Sequence, residues 1–213
     1  MNQPLDGLST ATVSDALDKL GLDGSMLGLG ALTPDVRICG PAFTVRYVAA
    51  GRPAGTVGDY LDDVPPGHVV VLDNAGRLDC TVWGDILTAL AHHKGVGGTV
   101  IDGVCRDTAR ALELGYPVVS RGRFMRTGKD RVEVSGTGVP VSAGGVQVVA
   151  GDTIVADGDG AVRVPAAEVE RVAEVAHAIA DAEAHILADV LGGVSLAEAR
   201  ARNGYHALQR RGA

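Results

Sequence analysis

Cysteine is scarce in this chain: Cys39, Cys80 and Cys105 are the only three, they form no CxxC pair, and their number is odd. That argues against a disulfide framework and against a thiolate metal site, so all three are expected as reduced, mostly buried thiols. Aromatic residues make up only 3% of the sequence, and the core must therefore be assembled from Val, Leu, Ile and Ala. Basic blocks are missing as well. The formal net charge of −7 is spread along the chain, which leaves no basic face for a nucleic-acid backbone or an anionic membrane surface. No uninterrupted apolar run approaches the ~18 residues of a membrane span. The opening Met1-Asn2-Gln3-Pro4-Leu5-Asp6 has neither a positive nor an apolar leader region, and a cytoplasmic protein is expected.

What is present is a chain of 213 residues, 46% hydrophobic and 21% charged, with 30 glycines. That composition suits one well-buried globular domain over residues 1–213, with many tight turns and closely packed strands and helices. Residues 8–21 offer Ser or Thr as a helix N-cap, apolar Val13, Ala16, Leu17 and Leu20, and Gly21 as terminator, predicting a short amphipathic helix. Residues 36–49 read as one kinked strand or two short ones around Gly40-Pro41, and residues 68–73 as a buried strand. Helical and strand patterns then alternate: helix over 85–94, strand over 99–102, helix over 108–114, strand over 117–120. Such alternation predicts α/β units with at least partly parallel pairing. Residues 132–164 read as short β segments and residues 166–190 as a long helix. Ser195, with Glu198 three residues on, has the spacing of a capping box before a last helix at 196–202.

Three tempting features have plain readings. Gly95-Val96-Gly97-Gly98 follows a helix and precedes a strand, the reverse of a phosphate loop, and reads as a helix stop. His92 and His93 are neighbours on a helix, about 100° apart, and read as surface or capping residues rather than ligands of one ion. Asp157-Gly158-Asp159-Gly160 lacks the bidentate Glu of a calcium loop and reads as a turn. Most weight falls on Trp83-Gly84-Asp85-Ile86-Leu87 and on Val100-Ile101-Asp102-Gly103-Val104-Cys105-Arg106-Asp107. An apolar strand there ends in Arg-Asp at the mouth of a helix, where α/β folds place ligand sites. The same pair also reads as Asp107 capping the helix with Arg106 in a salt bridge.

Asp85, Arg106 and Asp107 form the pattern D-x20-R-D, which resembles the family of 4-hydroxy-4-methyl-2-oxoglutarate aldolases and the related RraA-type ribonuclease E regulators. The resemblance extends over Ser9-Thr10-Ala11-Thr12-Val13-Ser14-Asp15-Ala16-Leu17, Gly40-Pro41-Ala42-Phe43-Thr44-Val45, Gly115-Tyr116-Pro117-Val118, Gly151-Asp152 and Val164-Pro165, about residues 8 to 206. It implies an α/β sandwich with a swivelling phosphohistidine-domain-like core, built into homotrimers or hexamers, with C-terminal helices at about 166–208 packing on a neighbouring subunit. It further implies Asp107 as the ligand of Mg²⁺ or Mn²⁺, and Arg106 as the group that binds the oxo acid. Asp85 would orient a proton-shuttling water. Gly84, Asp85, Ile86 and Leu87 would frame the pyruvate carboxylate at a helix N-terminus. Among the C-terminal acids Asp181, Glu183 and Asp189, the resemblance points to Glu183 as a supporting acid behind the metal.

The activity implied is a metal-dependent aldolase releasing pyruvate from 4-hydroxy-2-oxo acids that carry a further carboxylate, such as 4-hydroxy-4-methyl-2-oxoglutarate, with oxaloacetate decarboxylation as a side reaction. The physical logic is that carbon–carbon cleavage leaves negative charge on the pyruvate C2 oxygen, where a guanidinium and a divalent ion stabilise it. Two other functions share the same sequence: a non-catalytic regulator that binds ribonuclease E, and a lyase or hydratase that uses the enolate site on a different acid. Arg121 and Arg123 read either as anchors for a substrate's far carboxylate or as surface charges.

Overall fold

The structure, a computed structural model, describes residues 3–205. Its elements in chain order are α1 (Thr10–Leu20), β1 (Ser25–Met26), β2 (Gly30–Ala31), β3 (Ile38–Ala49), β4 (Val69–Thr81), α2 (Asp85–His93), β5 (Gly98–Cys105), α3 (Thr108–Leu114), β6 (Val118–Arg123), β7 (Val132–Thr137), β8 (Val141–Ala143), β9 (Val146–Val148), β10 (Thr153–Asp157), β11 (Gly160–Val164), α4 (Val169–Leu191) and α5 (Leu196–Arg202). The end of the expected C-terminal helical region, residues 206–208, lies outside the described residues.

The main sheet runs β1-β11-β10-β3-β4-β5-β6-β2, with β7 added to β3. Its centre, β3-β4-β5-β6, is parallel, while β10, β11 and β7 join antiparallel. Parallel neighbours need a crossover, and α2 and α3 supply those from β4 to β5 and from β5 to β6. All eight residues of β5 are buried, as expected of a central strand covered on both faces. One face packs Leu72, Ile101, Trp83 and Tyr116 under α2 and α3. The other packs Val69, Val71, Val100 and Ile154 against the β8–β9 hairpin. A third cluster joins α1 and α4 to β10 and β11 through Val13, Leu17, Val172 and Ile179. Each fully buried Leu or Ile contributes about 1.5–3 kcal/mol.

The local signals read from the sequence recur here. Ser9 caps α1 by accepting from the Thr12 amide at 3.1 Å, and Gly21 closes it in the left-handed conformation. Residues 36–49 hold one long strand rather than two. Asp157 ends β10 at the turn into β11, and its carboxylate accepts from the Thr10 amide at 2.8 Å. The Asp-Gly repeat is thus a turn that also ties down the start of α1. Ser195 caps α5 by accepting from the Glu198 amide at 3.3 Å, but Glu198 pairs with Arg202 instead of completing a capping box. Among the described residues no helix is long and apolar enough to cross a membrane.

Candidate active site

The parallel strands β4 and β5 end side by side, and the Thr81 hydroxyl lies 2.9 Å from both the Trp83 and the Val104 carbonyl oxygens. The Arg106 amide donates to the Trp83 carbonyl at 3.0 Å. Trp83 is buried, its indole N–H donates to the Thr88 hydroxyl at 2.9 Å, and its ring stacks on Tyr116. These bonds hold the start of α2 against the Arg106-Asp107 corner. A cavity of about 460 Å³ opens there, beyond the carboxyl ends of the strands.

Asp107 occupies the N-cap position of α3 but does not cap it. Its backbone is left-handed, at φ 53° and ψ 37°, and its side chain makes no capping bond. The carboxylate turns toward α2, where Oδ2 lies 3.4 Å from the Asp85 amide and 3.2 Å from Arg106 Nε. Of the two plain readings, the salt bridge is present and the cap is not. Gly84 makes this approach possible: a Cβ there would stand 2.8 Å from Asp107 Oδ2 and 3.2 Å from Arg106 Nε.

Arg106 lines the cavity, and among the described residues its only ion pair is with its neighbour Asp107, through Nε. Asp85 is exposed at the first position of α2, and its Oδ1 accepts from the Ile86 amide at 2.8 Å. Gly84, Asp85, Ile86 and Leu87 all line the cavity. Two of the first-turn amides, however, are already engaged by carboxylates, that of Asp85 by Asp107 and that of Ile86 by its neighbour Asp85. A bound carboxylate at this helix end would have to displace Asp85 from the Ile86 amide.

No group of three or more His, Cys, Asp or Glu side chains converges among the described residues. Mg²⁺ and Mn²⁺ do not need such a cage, since a hard ion that keeps several waters binds through one or two carboxylates. The Asp107 carboxylate, released from capping, partly exposed and beside Asp85, fits a water-rich ion of that kind. Glu183 is elsewhere in the single chain. It packs between α4 and α1, where burial and the charge of Asp15 raise its pKa.

Arg121 and Arg123 do not line the cavity. Arg121 pairs with buried Asp102, and Arg123 donates to the Leu32 carbonyl. The walls facing α2 come instead from residues 55–59, Thr127 and Lys129, none of which the sequence motifs singled out. No local pattern marks them, because they reach the site through strand pairing. β7 runs beside β3, and Glu133 on β7 accepts from the amides of Gly51 and Gly55 at 2.9 and 2.7 Å. The Tyr47 hydroxyl donates to the Val57 carbonyl at 2.6 Å. Together these bonds strap residues 51–58 across the cavity.

The two amides hold the Glu133 carboxyl below its usual pKa. A carboxyl depressed in the folded state stabilises the strap above its unfolded pKa of about 4.3, and that contribution fades as pH falls through the lower folded value. Amide exchange across residues 51–58 is therefore expected to lose protection as the pH drops below about 4.3. Glu133→Gln should show fast exchange already at neutral pH; unchanged protection in that variant would refute the clasp.

A model of the RraA-like family, described as aldolase/RraA, matches residues 10–163. The chain belongs to the RraA-like family. It is 36% identical over 201 residues to protein DlpA of Legionella pneumophila, an alignment covering 93% of this chain and 33% of DlpA. A putative 4-hydroxy-4-methyl-2-oxoglutarate aldolase of Alkalilimnicola ehrlichii is 32% identical over 87 residues, 40% of this chain and 52% of the relative. The chain thus spans a third to a half of the length of these two relatives. Among solved structures, an uncharacterised protein from Pseudomonas syringae pv. tomato superposes with a TM-score of 0.87 at 42% identity, covering 92% of this chain and 94% of that one. RraAS2 of Streptomyces coelicolor, an unusual member of the RNase ES inhibitor RraA protein family, superposes with a TM-score of 0.73 at 32% identity, covering 82% and 88%. The mixed α/β fold expected from the sequence is the fold of this RraA-like chain.

Proposed function

We propose that this RraA-like protein is a divalent-metal-dependent aldolase that cleaves 4-hydroxy-2-oxo acids to pyruvate and a second oxo acid, with oxaloacetate decarboxylation as a side activity. The observation that carries this reading is the carboxylate of Asp107, turned away from its own helix and held beside Arg106 at the mouth of the cavity. Relatives named as putative aldolases support it, although RraA regulators share the family.

Mg²⁺ or Mn²⁺ held by Asp107 would supply Lewis acidity to the substrate's oxo group. The remaining chemistry belongs to the chain's own side chains. A water oriented by Asp85 takes the proton of the C4 hydroxyl as the C3–C4 bond breaks. The bonding pair moves into the pyruvate enolate, C4 leaves as the carbonyl of the second oxo acid, and the same water returns a proton to C3. Arg106 offers a planar fork of donors to the oxygen on which charge develops, a geometry that Lys lacks. The Leu87 amide and the dipole of α2 favour the pyruvate carboxylate at the helix start.

The assembly proposed is a homotrimer or hexamer in which Glu183 of a neighbouring copy supports the metal. Exposed Leu187 and Leu191 on α4 support packing of the C-terminal helices on another copy. The deciding experiment is pyruvate release from oxaloacetate and from a panel of 4-hydroxy-2-oxo acids, followed through lactate dehydrogenase with and without Mg²⁺ or Mn²⁺. Metal-dependent release is expected. Its absence from every substrate would overturn the aldolase reading.

A further inference from the structure

Two buried tyrosines stand behind the strap. Tyr47 is 5% exposed and Tyr60 6%, and Tyr60 stacks on the ring of Phe43. Burial raises the pKa of both hydroxyls, so each stays an O–H donor at any working pH. Tyr47 donates to the Val57 carbonyl at 2.6 Å. The Tyr60 hydroxyl lies beside that of Tyr47 and is left without a hydrogen bond of good geometry. A hydroxyl buried in this way is costly, and next to a second hydroxyl it marks a bond that another arrangement of the same groups would make.

The backbone that Tyr47 holds is the least secured part of the strap. Residues 51–56 are fixed to β7 by the Glu133 carboxylate and by the Val134 amide, which donates to the Thr56 carbonyl at 2.9 Å. The chain is anchored again by buried Tyr60 and Leu61, in a 3₁₀ helix at Asp59–Asp63. Val57 and Gly58 span the interval. Among the described residues their amides donate to nothing, and their carbonyls accept from the Tyr47 hydroxyl and, at 3.2 Å, from the Leu61 amide. Both residues line the cavity. Gly58 lies against α2, where a Cβ would stand 2.8 Å from Leu87 Cδ2.

Two arrangements of this segment are close in hydrogen bonding. With Val57 packed on the core, Tyr47 is satisfied and Tyr60 is not, and the apolar contact offsets the orphaned hydroxyl. With Val57 and Gly58 lifted, water takes the Val57 carbonyl and the Tyr47 hydroxyl turns to Tyr60. A bound ligand biases such a balance through the contacts it makes in one state alone. We propose that Val57-Gly58 is a gate in the cavity wall, latched shut by Tyr47 on Val57 and held open by Tyr47 on Tyr60. Shut over a bound oxo acid, it keeps bulk water from the enolate. That role rests on the oxo-acid reading above, whereas the motion is testable without a substrate.

Trp83, the only tryptophan in the sequence, is buried in the wall of the same cavity and reports the gate. The test is acrylamide quenching of its fluorescence in the ligand-free protein. Tyr47→Phe removes the closing bond and should raise the quenching constant about threefold. Tyr60→Phe removes the opening bond together with the orphaned hydroxyl, and should lower the constant about threefold, the weight of one net hydrogen bond shifted between two states. Tyr60→Phe should also melt no lower than the wild type. Should Tyr47→Phe fail to fold, the fall in Tyr60→Phe decides alone. Hydroxyls with only a structural role would, on removal, both loosen the core or both leave Trp83 unaltered, so shifts of the same sign, or none, overturn the proposal. Opposite shifts in a protein that releases no pyruvate would defeat the aldolase reading and leave the gate standing.

Discussion

Arg106→Lys is expected to lower kcat/KM for pyruvate release by roughly 10²–10³-fold, the usual loss when one preorganised donor is removed from a developing oxyanion. The positive charge survives this substitution, so the loss measures geometry. The guanidinium extends toward the cavity from a backbone fixed by the Trp83 carbonyl, whereas an ammonium offers a single point that cannot bridge two oxygens in a plane. Stability should hardly move. The Arg106–Asp107 pair is partly exposed, and such pairs contribute about 0–1 kcal/mol. The two quantities are read from coupled lactate dehydrogenase kinetics and from thermal unfolding of the same preparations. Activity within a few-fold of wild type would show that Arg106 does not bind the reacting oxygen.

Asp107→Gly should separate stability from function in the opposite sense. Asp107 holds φ at 53°, a left-handed conformation that costs a side chain about 1 kcal/mol or more and costs glycine almost nothing. What the side chain returns to the fold is small: one amide contact at 3.4 Å and one exposed ion pair. Asp107→Gly is therefore expected to raise the melting temperature by about 2–4 °C. Binding of Mn²⁺, followed by calorimetry, and metal-dependent pyruvate release should both collapse, because the carboxylate proposed to hold the ion is gone. Asp107→Asn is the companion variant, since Asn tolerates the left-handed region and lacks the charge. It should keep the wild-type melting temperature and lose the metal. If Asp107→Gly is strongly destabilised, the residue is structural and the strain has another explanation.

The left-handed aspartate also marks the limit of reading this site along the chain. Arg-Asp after an apolar strand and before a helix pattern is visible in the sequence, and so is the suggestion of a helix cap. Which way the carboxylate turns depends on Gly84, twenty-three residues earlier, whose missing Cβ leaves room for it. Glu183 shows the same limit. Its place on a long helix could be read from periodicity, but its position beside Asp15 follows from the packing of α4 on α1.

By itself the sequence determined the elements and the candidate trio of Asp85, Arg106 and Asp107. Caps at Ser9 and Ser195, the stop at Gly21, the apolar runs of β4 and β5 and the D-x20-R-D spacing are local chemistry, set by side chains acting on backbone within a few residues or by one strand-helix-strand unit. The tertiary structure alone decided what faces the trio. The strap at residues 51–58, its clasp Glu133 and Lys129 on the cavity wall arrive through the pairing of β7 with β3 and the bridge from Thr127 to Thr81. Their long-range contacts leave no period or motif in the chain, because backbone hydrogen bonds between strands are nearly indifferent to which side chains they carry. Arg121 and Arg123 illustrate the converse. As charges in the sequence they were open to the site, and the buried carboxylate of Asp102 and the Leu32 carbonyl decided otherwise.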